Sequence, residues 1–197
     1  MLQYDLWALW VLGDGSTMAA EKTSDAGGGP GDSGQGSADL ARALIAAIGR
    51  HDLDAMRALD APDVVDDFVA VGRFAGVEAV VGFFAELFAA VPDFRIDPLS
   101  VTAQGDTAVV QWRATGTFNG GPFQGVHATG RPVDLRGCDV MRFEDGLLKH
   151  NTVYYDGLAF ARQIGFLPSE GSRTDRALQT AFNARTDTLA RVKEVRG

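Results

Sequence analysis

The residues of this chain that could do acid/base chemistry are concentrated in one segment, 133–156, which reads VDLRGCDVMRFEDGLLKHNTVYYD. Within it stand Asp139, His150, Tyr154 and Asp156, separated by apolar residues. A carboxyl or imidazole group can take up and release protons near neutral pH when burial shifts its pKa. The segment therefore supplies candidate general acids and bases for a reaction that moves protons.

The same segment predicts a β-hairpin. Asp145-Gly146 stands between two runs rich in β-branched and aromatic residues, which is a strong signal for a two-residue turn. This turn would pair Glu144 with Leu147, Phe143 with Leu148, Met141 with His150 and Asp139 with Thr152. Because side chains alternate across a strand, the predicted inner face carries Asp139, Met141, Phe143, Leu148, His150, Thr152, Tyr154 and Asp156. An apolar face that also carries carboxyl, imidazole and phenol groups indicates a pocket.

The preceding chain predicts the elements that position this hairpin. A first helix begins at Ser37 as a plausible N-cap, a second covers Leu53–Leu59, and a third lies between Gly76 and Pro92. Residues 64–76 indicate an irregular passage or a short strand. From Asp93 onward the apolar period changes to two, and about four consecutive strands follow. Helices followed by strands predict an α+β fold with a curved, mainly antiparallel sheet.

Both ends of the chain differ from this central domain, which we expect at 38–168. Residues 1–37 end in DAGGGPGDSGQGS, whose six glycines and lack of apolar residues predict a disordered extension with a flexible linker. Met18 could equally be the true start. Residues 169–197 predict a tail that forms an amphipathic helix, with Leu178, Phe182, Leu189 and Val192 on one stripe.

Composition excludes several classes of function. A net charge of -8 without a basic run argues against binding to nucleic acid or to an anionic membrane. No apolar run approaches the roughly 20 residues that a membrane span needs. The single cysteine, Cys138, suits a cytoplasmic protein. The three histidines lack metal-ligand spacing, so we expect no metal site.

Three motifs together resemble a known family. They are TGRPV at 129–133, the run from Asp139 to Gly146, and Asp156 leading into RQIGFLP at 162–168. They resemble the SnoaL-like polyketide cyclases, a group within the superfamily of nuclear transport factor 2 and ketosteroid isomerase. The resemblance implies a cone-shaped barrel in which three helices and the curved sheet enclose a hydrophobic pocket. It also implies a homodimer, no cofactor, and Asp156 as the general acid/base of an intramolecular aldol ring closure.

Each candidate has a structural alternative. Asp156 could cap the helix that follows it. His150 could be a core residue whose hydrogen bonds are satisfied within the protein. Tyr154 could pack its ring against the sheet and keep its hydroxyl group at the surface. Asp139 is a second carboxyl group on the predicted face. Its proximity to Asp156 would raise the pKa of one of the two groups. Residues expected to contact a hydrophobic small-molecule substrate are Tyr154, Trp112, Met141, Phe84, Phe88 and Phe118. The alternatives to a cyclase or isomerase are a non-catalytic small-molecule-binding or interaction module, and an epoxide hydrolase that uses Asp139 and Asp156.

Overall fold

The computed structural model describes residues 33–196, and the side-chain surroundings of residues 36–191. The helices in this range are α1 (Ser33–Gly49), α2 (Leu53–Leu59), α3 (Val77–Ala90), α4 (Gly157–Gln163) and α5 (Arg173–Arg196). The strands are β1 (Asp60–Phe68), β2 (Gly72–Ala75), β3 (Arg95–Gln104), β4 (Thr107–Phe118), β5 (Arg131–Glu144) and β6 (Leu147–Tyr155). The predictions for residues 1–32 lie outside the described chain.

The predicted helices α2 and α3 are confirmed, and α1 differs at its start. Asp52 caps α2 by accepting a hydrogen bond of 3.0 Å from the Ala55 amide. α1 begins at Ser33, before the predicted N-cap. Ser37 is buried within the helix, and its hydroxyl donates to the Gly105 carbonyl oxygen at 2.9 Å. That hydroxyl therefore ties α1 to the β3–β4 turn instead of capping the helix.

The α+β class and the mainly antiparallel sheet are confirmed. The sheet has the order β2-β1-β6-β5-β4-β3, and β1 pairs in parallel with β6 while the other neighbours are antiparallel. It is not a closed barrel, because β2 and β3 form its two edges. Residues 64–76, predicted as an irregular passage or a short strand, supply β2 and the second half of β1, so the described sheet is larger than the expected four strands.

The hairpin turn follows the prediction, but the pairing beyond it does not. Asp145 and Gly146 both have positive φ, 50° and 78°, as a two-residue type I′ turn requires. The pairs Phe143–Leu148 and Glu144–Leu147 are confirmed. Beyond these pairs the register between β5 and β6 shifts by one residue, because Lys149 of β6 has no partner on β5.

This β-bulge exchanges the two faces of β6. The predicted pairings of Met141 with His150 and of Asp139 with Thr152 are wrong, since Met141 lies opposite Asn151 and Asp139 lies opposite Val153. A slip of one residue turns every following side chain to the other face. Asn151 and Val153 are therefore buried inside, whereas Tyr154 is exposed. The extra residue, Lys149, binds the Asp63 carboxylate on β1.

The core lies between the inner face of the sheet and the helices α1 and α3. Phe83 of α3 is its aromatic centre, with ring centroids of Phe68, Phe74, Phe84 and Phe123 at 4.4 to 5.6 Å. Burial of each such ring contributes roughly 2 to 3 kcal/mol. This packing holds α3 against the sheet and leaves a hollow beside it.

Candidate active site

An apolar cavity of about 100 Å³ lies between α1, α3, α4 and the inner face of the sheet. Its wall is mainly aromatic and aliphatic, and includes Phe68, Phe83, Phe84, Phe94, Phe123 and Phe160. Polar groups at the wall include Asp139 of β5, with Asn151 and Tyr155 of β6. Few polar groups in an apolar hollow are typical of a small-molecule site.

Asp139 is the buried carboxyl group of this cavity, with 5% of its surface exposed. Its Oδ1 accepts a hydrogen bond of 2.8 Å from Trp112 Nε1, and its Oδ2 accepts one of 3.4 Å from Asn151 Nδ2. Burial raises the pKa of Asp139 to about 6, and the two hydrogen bonds oppose that rise. A carboxyl group with a pKa near neutrality can act both as a base and as an acid.

Gly137 allows Trp112 to reach Asp139. The two residues are opposite each other on β4 and β5. A Cβ atom on residue 137 would overlap the six-membered ring of the Trp112 indole. The indole therefore occupies the space that glycine leaves, with its N–H directed to Asp139.

Two further carboxyl groups lie buried on β1 behind this site. Asp66 and Asp60 are 2% and 5% exposed. Both oxygens of Asp60 and Oδ1 of Asp66 have no hydrogen-bond partner among the described residues. Burial, followed by the charges of Asp60 and Asp139, raises the pKa of Asp66 well above its usual value. Burial also raises the pKa of Asp60 to about 7.

Sequence reasoning missed Asp66, Asn151 and Tyr155, and it named Tyr154 where Tyr155 lines the cavity. The signal for Asp66 was the alternation of Val64, Asp66 and Phe68, which places a carboxyl on a buried face. The inward direction of Asn151 could not be predicted, because it depends on the bulge and no local pattern indicated the bulge. In the described chain, no three histidine, cysteine or acidic side chains are placed to hold a metal ion.

Asp156 lies away from the cavity. Its side chain is exposed at the N-terminus of α4 and accepts a hydrogen bond of 2.8 Å from the Ala159 amide. This is the N-cap alternative that the sequence left open. The carboxyl group of Asp156 thus faces solvent and contributes nothing to the wall described above.

His150 and Tyr154 lie on the outer face of the sheet because of the bulge. His150 Nε2 is 3.3 Å from the Thr152 hydroxyl, and burial, followed by Arg142 and Arg73, lowers its pKa. Tyr154 is 51% exposed. Neither side chain reaches the cavity that Asp139 lines.

The other residues predicted to contact substrate divide into two groups. Trp112 and Phe84 line the cavity. Met141, Phe88 and Phe118 are packed in the core outside its wall. Phe88, for example, stacks on the His51 ring with centroids 4.1 Å apart.

The mainly antiparallel sheet covered by helices is an α+β fold. An ntf2-like protein from Burkholderia pseudomallei K96243 has the same fold, with 23% identity and a TM-score of 0.56 over 66% of this chain and 98% of that one. The sequence profile of the SnoaL-like polyketide cyclases matches residues 38–164. The chain therefore belongs to the SnoaL-like polyketide cyclase family, as its motifs predicted. No helix in the described part is long and apolar enough to cross a membrane.

Solved structures support this assignment. A protein from Jannaschia sp. CCS1, assigned as a SnoaL-like polyketide cyclase, is 28% identical with a TM-score of 0.64, covering 72% of this chain and all of that one. IdmH from Streptomyces antibioticus, assigned as a polyketide cyclase, is 26% identical with a TM-score of 0.56. The match covers 66% of this chain and 98% of IdmH. TsrD from Streptomyces laurentii is 26% identical with a TM-score of 0.59, and the match covers 68% of this chain and 97% of TsrD. Among curated proteins no match is found.

Proposed function

We propose that the protein is a cofactor-independent enzyme that transfers protons at carbon on a hydrophobic, polyketide-type carbonyl compound, with ring closure or isomerisation as the outcome. The observation that carries this proposal is the carboxyl group of Asp139 at the wall of an apolar cavity. Family membership supports the same reaction class. The acid/base role that the sequence predicted for Asp156 passes to Asp139.

Asp139 would act first as a base. As a carboxylate it accepts the proton of a carbon atom that lies next to a carbonyl group, and an enolate forms. In an aldol closure the enolate carbon attacks a second carbonyl of the same molecule, and the protonated Asp139 returns its proton to the new alkoxide. One carboxyl group can serve both steps because its pKa lies near neutral pH.

Tyr155 is available as a neutral hydrogen-bond donor for the developing enolate oxygen. It lines the same cavity, and burial raises its pKa above the usual value of a phenol. The phenol therefore keeps its proton at neutral pH and can donate it to a hydrogen bond. The apolar wall excludes water, which strengthens that interaction.

The test measures hydrogen–deuterium exchange in heavy water. The probe is 2-tetralone, a bicyclic ketone with an activated C–H bond. We expect the protein to accelerate deuterium incorporation, followed by proton NMR, and Asp139→Asn to remove the acceleration. A protein that binds 2-tetralone without accelerating exchange would instead support the non-catalytic binding module.

The epoxide hydrolase alternative required Asp139 and Asp156 in one pocket. The two carboxyl groups lie apart, one buried at the cavity and the other exposed on α4. That pair therefore gives no support to epoxide opening.

We also propose that the protein forms a homodimer through the outer face of the sheet. Leu99 and Tyr154 are each more than half exposed and lie together in a shallow surface depression of that face. Leu99→Glu together with Tyr154→Glu should give a monomer in sedimentation velocity. A parent protein that sediments as a monomer would contradict the proposal.

A further inference from the structure

Phe160 is the residue of α4 that lines the cavity. Its ring lies edge-on to two other rings of the wall, with centroid distances of 6.5 Å to Tyr155 and 6.2 Å to Phe123. Aromatic pairs commonly pack in this way. Tyr155 is the side chain that would donate a hydrogen bond to the oxygen of the reacting carbonyl group. The Phe160 ring therefore bounds the space beside that carbonyl group.

The strand β5 has a free edge where α4 lies. β6 ends at Tyr155, which pairs with Gly137 of β5. The part of β5 that precedes Gly137 therefore lacks a strand on that side of the described sheet. Backbone N–H and C=O groups at such an edge need partners from elsewhere. Asp134 belongs to this part of β5.

The side-chain amide of Gln163, the last residue of α4, pairs with this edge. Its Oε1 accepts a hydrogen bond of 2.8 Å from the Asp134 backbone amide. Its Nε2 donates a hydrogen bond of 2.9 Å to the Asp134 carbonyl oxygen. A residue of an antiparallel strand would exchange the same two bonds. The side chain of Gln163 thus takes the place that β6 leaves open and holds the end of α4 against β5.

The position of α4 depends on contacts of this kind. The helix has seven residues, and a helix of this length is not stable in water by itself. Asp156 caps its first turn, and the Gln163 pair holds its last residue. Phe160 lies between these two attachments. Loss of the Gln163 pair would free the second end of α4 and let the Phe160 ring move away from the cavity.

We propose that Phe160 limits the size of the group next to the reacting carbonyl of the substrate, and that Gln163 is a positioning residue that holds Phe160 in place. The substrate class is a polyketide-type ketone that carries small substituents, and no ring, on the carbon next to that carbonyl. This inference rests on the proposed function, which it deepens. Gln163 touches no substrate and acts through Phe160.

The experiment compares two ketones that differ by one ring, 2-tetralone and 1-phenyl-2-tetralone, by calorimetric titration at pH 7. The measured quantity is the ratio of their affinities. In the parent protein we expect 2-tetralone to bind at least about tenfold more tightly, because the added ring meets Phe160. Phe160→Ala vacates the volume of one phenyl ring, so the ratio should fall at least about tenfold. Leu158→Ala is the matched control, since Leu158 is exposed on the same helix and lies outside the cavity wall.

The Gln163 variants separate positioning from support of the fold. Gln163→Leu is similar in size and removes both hydrogen bonds, so the preference for 2-tetralone should fall about fivefold. In the Phe160→Ala background the same change should leave the ratio unaltered, because the ring through which Gln163 acts is missing. A general loss of stability would weaken both ketones alike and would not move the ratio.

A parent protein that binds both ketones equally well would overturn the inference, and so would an unchanged ratio in Phe160→Ala. The role of Gln163 would be refuted if Gln163→Leu kept the parental ratio, or lowered it equally with and without the Phe160 ring. Should Gln163→Leu not fold, Gln163→Glu decides, because it keeps the acceptor, loses the donor and should also lower the ratio.

These titrations need no turnover, so they separate the two proposals. Proton exchange that is lost in Asp139→Asn, together with an unchanged affinity ratio in Phe160→Ala, would support the proposed function and contradict this inference. A lowered ratio in Phe160→Ala, in a protein that accelerates no exchange, would support the size limit and contradict the proposed chemistry.

Discussion

Trp112 Nε1 lies 2.8 Å from Asp139 Oδ1 and donates the shortest hydrogen bond that this carboxyl group receives. The contact joins β4 to β5 at the cavity wall. It stabilises the carboxylate form, while burial favours the neutral form. The balance between these two effects decides at which pH Asp139 can act as a base.

The exchange rate should rise with pH and then level off, because Asp139 must be ionised to remove a proton. With a pKa of about 6, the rate should increase roughly tenfold per pH unit below pH 6 and flatten above it. Trp112→Phe removes a hydrogen bond that lowers the pKa, so the midpoint should move to higher pH. Rates of 2-tetralone exchange between pH 4 and pH 8 check both expectations. An unchanged midpoint in Trp112→Phe would contradict the assignment of the base.

Asp139→Asn should lower the exchange rate by about 10²- to 10⁴-fold, the usual contribution of a general base. Binding of 2-tetralone should persist, since the apolar wall is unaltered. The matched control is Asp156→Asn, because asparagine is an equally good N-cap, and its exchange rate should stay within about twofold of the parent. If Asp156→Asn were the inactive variant and Asp139→Asn the active one, the original sequence prediction would be restored.

Asp60→Asn should change the pH dependence of stability. The pKa of Asp60 rises from 3.8 to about 7 on folding, so between these values the unfolded chain releases a proton that the folded protein retains. The unfolding free energy of the parent therefore falls as pH rises from 4 to 7, by at most about 4 kcal/mol from this group. The variant lacks this loss, so its stability relative to the parent should increase over that range. Urea unfolding at pH 4 and pH 8 measures the difference, and an equal gap at both pH values would refute it.

Gly137→Ala should disturb the site through Trp112. The new methyl group overlaps the indole ring, and relief of such overpacking typically costs about 1 to 3 kcal/mol. The 2-tetralone exchange rate should fall as well, because the displaced indole releases Asp139. Gly82→Ala is the control of opposite sign: residue 82 is exposed within α3, with open space around it, and alanine there should stabilise by up to about 1 kcal/mol. Thermal melting and exchange assays on both variants provide the comparison.

Much of the fold could be predicted from local patterns. The turn at Asp145-Gly146 was predictable because a two-residue hairpin turn requires positive φ at both positions, which these residue types tolerate. The helix over Leu53–Leu59 was predictable because Leu53, Met56 and Leu59 recur at helical spacing. Motifs between Thr129 and Pro168 predicted the family. Each of these signals lies within a few residues of the feature that it specifies.

The site depended on contacts between distant segments. Alternation along β5 is a local pattern that needs no partner strand, so the sequence alone placed Asp139 on the buried face of a hairpin. The residues of β6 that lie beside it depend on how the strands pair in the folded protein. The extra residue at Lys149, bound to Asp63 on β1, turns Asn151 inwards and His150 outwards. A strand can gain one residue at small local cost, so its register depends on all of its neighbours, and β1 was not recognisable as a neighbour from the sequence.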